Sequence, residues 1–410
     1  MKALLLACTA FFALQAQPRA ESFVLPNGLR VILLENHELP LLRAHLAFAL
    51  EPADTPPGLQ GLPLLMMQVL GASDVGSLKA QDYDRLLEAA GIQLTQTLTA
   101  TGPEWRLVAR SRNQDRALGL LAERLLHAVI DPPLLESQRK NLLRNLERPE
   151  APADERLALA LRQPAASRPT KTSLGGLTLE DLLACRARVL RPDRAVLVLH
   201  GDLGLEQAKR LVLLNLGAWA PPQAPPLRLP AKDLGGAEGP VFIPAPTAGL
   251  RIQALAVPPG DLPPEALALL GLLVPGDPLL APVRVAFQAS ALIATLDEGG
   301  LAPTPAASWS LLHQRLEALR LRGFTQAELD LARNVWLARR SVEALHPESL
   351  LEAALAEVRG RGVALDRMKG LSLDALNAHL RRWLEPAGIR RGATGNPESL
   401  KQLAQSLSGN

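Results

Sequence analysis

Aromatic residues are scarce in this sequence, which has 5 Trp, 7 Phe and a single Tyr, Tyr83, among 410 residues. Proteins that hold single-stranded nucleic acid usually stack the bases on aromatic side chains above a basic groove. A basic groove is not evident either, because 44 Lys and Arg residues are scattered among 41 Asp and Glu residues, for a net charge of +3. This composition excludes nucleic acid as an expected partner.

Long hydrophobic runs are also missing after the first residues. Residues 3–14 contain one polar residue, Thr9, and a run of about twelve is too short to span a bilayer but typical of a signal peptide. We therefore predict a signal peptide over residues 1–20 and an exported, periplasmic bacterial protein without a transmembrane segment. A buried N-terminal helix and lipidation at Cys8 remain the alternatives.

Cysteine is nearly absent as well. Removal of a signal peptide takes away Cys8 and leaves Cys185 alone, so the mature chain can form no internal disulfide. The sequence offers no histidine partner for Cys185.

A long internal repeat is the strongest pattern that is present. Two stretches match without a gap, LTLEDLLACRARVLRPDRAVLVLHGDL from Leu177 and LSLDALNAHLRRWLEPAGIRRGATGNP from Leu371. The offset of 194 positions between Leu177 and Leu371 is also the offset from Pro192 to Pro386 and from Gly201 to Gly395. In each copy a Ser or Thr can cap a helix, a Pro ends the helix, and a short strand follows. The first strand, 196–199, has a clear apolar pattern, whereas its counterpart, 389–394, looks degraded. This agreement indicates a duplication.

The duplication defines the expected domains. Strands are predicted at 29–34 and 45–50 in the first half and at 250–257 in the second. Between the halves, residues 220–240 have five prolines before Lys232, which is typical of an extended linker. We predict an α+β fold with homologous domains at 21–219 and 241–410, each of about 190 residues with a mixed or antiparallel sheet packed with helices.

Four stretches in this order resemble the insulinase/pitrilysin family of zinc peptidases, in the two-domain branch that includes the mitochondrial processing peptidase. They are LPNGLRVILLENHELPLLRAHLAFAL from Leu25, GLPLLMMQVLGAS from Gly61, AGIQLTQTLTATGPEWRLVARS from Ala90, and the first copy of the repeat. The resemblance extends from residue 21 to about residue 403 and is better in the first half. It implies the duplicated fold already expected from the repeat.

The resemblance also implies a lost catalytic site. Active relatives carry H-x-x-E-H on a helix, where the two His bind zinc from one face and the Glu is the general base. In this chain Leu64, Met67 and Gln68 stand at those positions, and Asn145 stands where a later Glu completes the zinc ligands. Leu has no donor atom and the thioether of Met prefers softer metals than zinc. We expect no zinc, no other cofactor and no hydrolysis.

Two substrate-binding features of the family also map onto this chain. Relatives use an Arg and a Tyr seven residues apart, and the matching positions here are Phe287 and Ala294, with Arg284 nearby as a displaced survivor. The strand pair 92–98 and 105–111 matches the edge that holds substrate in relatives, and such an edge can bind an extended peptide by β-augmentation. Thr95 and Gln96 replace the Asn-Ala of relatives on that edge.

The remaining polar candidates have ordinary explanations. No two of the seven His residues are spaced at i, i+3 or i, i+4. His37 is expected in a solvated loop, and the stretch from His200 to Asp202 is explained by turn chemistry at the end of a strand. Gly235 and Gly236 do not precede a helix and so do not form a phosphate loop.

These observations favour one function over two others. The first hypothesis is the non-catalytic subunit of an exported heterodimeric zinc peptidase, in which this chain forms half of the substrate chamber beside a zinc-bearing partner of the same family. The alternative is a stand-alone periplasmic scaffold or peptide-binding protein. An enzyme with a relocated site is not expected, because the sequence shows no cluster of metal ligands.

Overall fold

The structure is a computed structural model, and it describes the following residues: 20–51, 54–55, 58–99, 101–147, 152–162, 169–220, 239–245, 249–288, 291–297 and 302–408. The expected signal peptide and the expected linker lie outside the described residues, except for residues 20, 220, 239 and 240.

The first half of the chain contains eight strands and eight α-helices in the described residues. The strands are β1 (Ala20–Val24), β2 (Arg30–Glu35), β3 (Leu41–Phe48), β4 (Asp74–Val75), β5 (Gln93–Thr99), β6 (Gly102–Arg110), β7 (Ala128–Val129) and β8 (Ala195–Gly201). The helices are α1 (Leu62–Ala72), α2 (Ala80–Ala89), α3 (Gln114–Leu126), α4 (Pro132–Glu147), α5 (Ala153–Arg162), α6 (Lys171–Gly176), α7 (Leu179–Val189) and α8 (Leu205–Leu216).

The second half repeats this plan with fewer strands. Its strands are β9 (Val241–Pro244), β10 (Arg251–Ala256), β11 (Arg284–Gln288), β12 (Ala291–Leu296) and β13 (Ile389–Gly395). Its helices are α9 (Pro264–Leu273), α10 (Pro305–Arg322), α11 (Gln326–Glu343), α12 (Pro347–Val358), α13 (Leu365–Gly370), α14 (Leu373–Trp383) and α15 (Pro397–Ser408).

The two large sheets have corresponding strand orders, apart from the additional edge strand β1 in the first sheet. The first sheet runs β1-β2-β8-β3-β6-β5, and the second, read from its β9 edge, runs β9-β13-β10-β12-β11. In each sheet one neighbouring pair is parallel, β2 with β8 and β9 with β13, and the other pairs are antiparallel. The predicted fold class, α+β with mixed sheets in two homologous halves, is confirmed.

The fixed offset of 194 continues well beyond the stretch in which the sequences match. It separates the first residues of α4 and α11, α5 and α12, α6 and α13, α7 and α14, and β8 and β13. The interpretation of 389–394 as a degraded strand is wrong, because β13 pairs along its length with β10. Gly392 makes the strand look weak in sequence, but a Cβ there would lie 2.5 Å from the backbone oxygen of Val241 on β9 and 2.6 Å from the side chain of Leu157 on α5, so the glycine allows both to approach β13.

The sheets are buried on both faces because the halves exchange a helix. One face of each sheet covers the core of its own half. The other face of the first sheet packs against Leu351 and Leu355 of α12, and the other face of the second sheet packs against Leu157 and Leu161 of α5. Each half therefore completes the other half's sheet packing, which fixes their relative position.

Candidate functional site

Helix α1 is held firmly at both ends. Pro63 lies in its first turn and Gly61 precedes it with φ of 90°, a conformation that only glycine adopts without strain. At the other end the buried guanidinium of Arg124 donates hydrogen bonds to the carbonyl oxygens of Leu70 and Ser73 at 3.0 and 2.8 Å. The same guanidinium lies 4.1 Å from the ring centre of Tyr83. These contacts fix the position of α1 within the first half.

One face of α1 remains accessible while the rest is buried. Leu64 and Gln68 are half-buried and Gly71 is exposed, and these positions share a face at helical spacing. Met67 is only 4% exposed and packs in the core of the first half. The accessible face looks onto α4, against which α1 packs.

A polar cleft of about 500 Å³ lies between α1 and α4. Its lining residues are Gln68, Gly71 and Ala72 from α1 and Gln138, Asn141, Arg144 and Asn145 from α4. The α4 residues are joined in a relay, because Arg144 Nη2 donates to Asn141 Oδ1 and Asn141 Nδ2 donates to Gln138 Oε1 at 3.4 Å. The cleft is therefore lined by amides and one cation.

This lining does not fit zinc or hydrolysis. The lining residues include no carboxylate, imidazole or thiol, which are the groups that bind zinc in proteins and that serve as a general base toward a metal-bound water. Amide groups and an arginine offer hydrogen bonds instead. The chemistry that the cleft supports is reversible binding of a polar ligand.

The structure brings two of the four predicted positions of the lost site into this cleft. Gln68 and Asn145 line it together, although they are 77 residues apart in sequence. Leu64 lies on the same helix face and packs partly against the core, and Met67 is turned into the core. That these positions once held zinc ligands and a base stays a prediction.

The predicted substrate edge lies next to α1. Strand β5 is the last strand of the first sheet, and Thr95 on it is exposed. Gln96 points the other way, and its Nε2 donates to the carbonyl oxygen of Met67 at 2.6 Å. A side chain at Gly71 would collide with that amide, so Gly71 keeps β5 and α1 together. Thr95 is thus available to a ligand, whereas Gln96 holds the strand against the helix.

The structure places the second predicted constellation in another sheet. Arg284 lies on β11, is exposed, and forms an ion pair with Asp297. Phe287 packs edge-to-face on Trp383 at 5.8 Å between ring centres, and Ala294 on β12 is fully buried. Phe287 and Ala294 therefore contribute to the second core.

Sequence reasoning missed a charged network that joins the two halves. His45 on β3 and Glu104 on β6 are buried, with Nε2 and Oε2 3.1 Å apart, and Glu352 of α12 lies 3.9 Å from the other ring nitrogen. Arg106 pairs with Glu352, and Arg359 lies 3.4 Å from Glu104. No spacing rule links residues so far apart in sequence. The only signal in the sequence is that side chains alternate between the two faces of a strand, which places His45 of β3 and Glu104 of β6 on the same face of the sheet.

This network is a set of ion pairs. Its two carboxylates and imidazole lie close enough to hold a metal ion, but each carboxylate is paired with an arginine, and the two carboxylates approach different ring nitrogens of His45. Burial alone would raise the pKa of Glu104, but the hydrogen bond and charge of His45, the charge of Arg359 and the hydroxyl of Thr99 lower that pKa to about 2. Glu104 is therefore ionised, and the network ties α12 to the first sheet.

Three further residues considered from the sequence, His37, His200 and Cys185, have structural roles. The side chain of His37 is 58% exposed, as expected, and bonds to Asp202 and Glu35 at 2.7 Å, which raises its pKa. His200 lies inside β8 and is buried, so the turn interpretation is wrong for that residue. Burial raises the pKa of Cys185 to about 12, which leaves its thiol unreactive.

None of the helices in the described residues has the length and apolar character needed to cross a membrane.

Comparison with known proteins agrees with this picture. Residues 176–308 match a family model described as the peptidase M16 inactive domain. A curated relative, "Non-peptidase homolog YmxG" of Helicobacter pylori, is 29% identical over 212 residues. That match covers 49% of this chain and 48% of the relative, so the chain spans about half the length of the curated relative it matches.

Solved structures extend the likeness to nearly the whole fold. The peptidase M16 inactive domain from Pseudomonas fluorescens superposes with a TM-score of 0.73 at 18% identity, over 92% of this chain and 98% of that one. The periplasmic protease PqqL from Escherichia coli superposes with a TM-score of 0.71 at 16% identity, over 92% of this chain and 45% of that one. Both show the same fold. The resemblance inferred from the sequence is confirmed: residues 176–308 match the M16 inactive-domain model, and the chain has the fold of M16 (insulinase/pitrilysin-like) peptidase domains over 92% of its length.

Proposed function

We propose that this chain is the non-catalytic subunit of an exported heterodimeric zinc peptidase and that it forms half of the substrate chamber beside a zinc-bearing partner. The observation that carries the proposal is the α1–α4 cleft. The cleft lies beside α1, which Arg124 anchors at one end, and amides and one arginine line it. Such a lining can bind and position a peptide, but the residues that line it include no group that would cut one.

The length of one structural relative supports pairing. The match covers only 45% of PqqL, a periplasmic protease, so in that protein a unit like this chain is joined to a further segment at least as long. A separate partner chain would supply the corresponding second unit here. Export rests on the sequence of residues 1–20 alone.

An exposed apolar stripe offers a surface for that partner. Leu331, Val335 and Val342 lie on one face of α11, with Leu345 directly after it, and Leu331, Val342 and Leu345 are 64%, 58% and 65% exposed. The spacing of 4 and 7 residues keeps Leu331, Val335 and Val342 on one helix face over about 16 Å, and Leu345 lies in the turn that follows the helix. Contiguous exposed apolar surface of this kind marks protein interfaces.

The pairing is tested by co-expression of the mature chain with an exported H-x-x-E-H relative from the same genome, followed by size-exclusion chromatography and a peptide cleavage assay. We expect a stable complex whose cleavage exceeds that of the zinc-bearing chain alone. Val342→Asp with Leu345→Asp should weaken the complex at least about tenfold, whereas Leu214→Asp, at a leucine that is 72% exposed on α8, should not. Separate elution at micromolar concentration with unchanged cleavage would favour the stand-alone scaffold instead.

A further inference from the structure

The hydrogen-bonding groups of the α1–α4 cleft include more donors than acceptors. In the relay on α4 the side-chain oxygens of Asn141 and Gln138 each accept one hydrogen bond. The other N–H groups of the Arg144 guanidinium and the amide nitrogen of Gln138 remain available as donors. The side-chain amides of Gln68 and Asn145 have no partner among the described residues and add both donors and acceptors. A ligand rich in acceptor oxygens is the best match.

The positive charge of the cleft also favours a ligand with acceptor oxygens. Arg144 is the one charged side chain among the residues that line it, and it is exposed with no ion pair to any described residue. A guanidinium that has only one amide oxygen as partner can still bind a carboxylate through two parallel hydrogen bonds. The neighbouring Arg139 is different, because it is held by Glu136 and by the carbonyl oxygen of Leu177.

The path to the cleft determines which carboxylate can reach it. The exposed edge strand β5 lies on the α1 side, and Arg144 lies on the α4 side. Gly71 and Ala72 are the small residues between them. An extended peptide paired with β5 would therefore leave the strand, pass over these small residues and end on α4. The C-terminal carboxylate of such a peptide would then lie beside the Arg144 guanidinium, which can bind it through two parallel hydrogen bonds.

We propose that the α1–α4 cleft binds the C-terminal carboxylate of an extended peptide, with Arg144 as the residue that recognises the charge. This inference deepens the proposed function by naming the end of the peptide that the chain holds. It requires only that the chain binds peptides, so the chain alone can be tested without a partner. Pairing is measured separately, and either proposal can fail while the other stands.

The test uses the mature full chain, residues 21–410, and fluorescence anisotropy with three labelled nine-residue peptides of Thr and Ala. One has a free C-terminal carboxylate, one has a C-terminal amide, and one has a C-terminal amide and a central Glu. We expect the free carboxylate to bind about tenfold to a hundredfold more tightly than either amide, as for a charge-assisted hydrogen bond. Arg144→Gln should remove that preference.

The matched control is Lys140→Gln, which removes the same charge from α4 at an exposed residue outside the cleft. It should keep the preference, and equal thermal midpoints for the two variants show that both fold. Equal affinity for all three peptides, no binding of any peptide, or a preference that survives Arg144→Gln would overturn the proposal. Equal affinity for the free carboxylate and the central Glu would overturn the assignment to the chain end.

Discussion

Removal of the Glu104 charge should weaken the connection between the two halves. Glu104 is 5% exposed on β6 and faces His45 and Arg359, and its pKa is about 2 against an ordinary value of 4.5. A difference of about 2.5 pKa units corresponds to about 3 kcal/mol of unfolding free energy. Glu104→Gln keeps the shape of the side chain and should cost about that much at pH 7.

The effect should depend on pH in a direction that can be worked out. A carboxyl whose pKa is lower in the folded state stabilises fully above its unfolded value and loses that contribution as pH falls through the folded value. The difference between the natural chain and Glu104→Gln should therefore shrink as the pH falls from about 4.5 to about 2. Urea unfolding followed by Trp fluorescence across this range measures it.

Two controls separate the network from general charge effects. Glu206→Gln removes an exposed carboxylate paired with Lys209 on α8, and it should leave stability unchanged because such pairs contribute little. Arg359→Met combined with Glu104→Gln should cost less than the sum of the single changes, since the two residues share an interaction. A loss below about 1 kcal/mol for Glu104→Gln, or a loss of the same size at pH 2.5 and pH 7, would refute the reasoning.

Three further predictions concern the lost site, α1 and the linker. The mature chain should retain no zinc after dialysis and should cleave no peptide. A variant with the three expected ligands restored, Leu64→His with Gln68→His and Asn145→Glu, should bind about one zinc per chain by elemental analysis. Failure of that variant to bind zinc while folded would count against the alignment. Arg124→Met should lower the free energy of unfolding by about 3 kcal/mol, because two charged hydrogen bonds to the end of α1 are lost. The control is Arg85→Met, at an exposed arginine, and an equally small change in both variants would contradict this prediction. Limited proteolysis should cut first within residues 220–240 and give two fragments of similar size, and a first cut within 61–73 would contradict the buried position of α1.

Short-range patterns predicted the elements well. The strands expected at 29–34, 92–98 and 105–111 appear as β2, β5 and β6 within a few residues, and the apolar run after Gly61 forms α1. The alternation of strand residues and the caps of helices depend on neighbours in the chain, so the sequence carries this information directly. The expectation that Leu64 and Met67 do not bind zinc also follows from residue type alone, since Leu has no donor atom and a thioether prefers softer metals.

Long-range contacts could not be read in the same way. The strand β13 looked weak because of Gly392, where a side chain would collide with β9 and with α5, and neither neighbour is close in sequence. The cluster of His45, Glu104 and Glu352 is assembled from three elements whose approach no local spacing encodes. The cleft is a similar case, since Arg144 carries no motif and acquires a role only beside α1.

The sequence by itself indicated the duplication, several of the strands, and the expected loss of the catalytic groups, because each of these inferences depends on residue type and spacing along the chain. Tertiary structure alone decided how the halves exchange α5 and α12, which charges meet between them, and which donors face the cleft. These depend on side chains brought together from distant positions, where burial and partner distance set the energy of each contact.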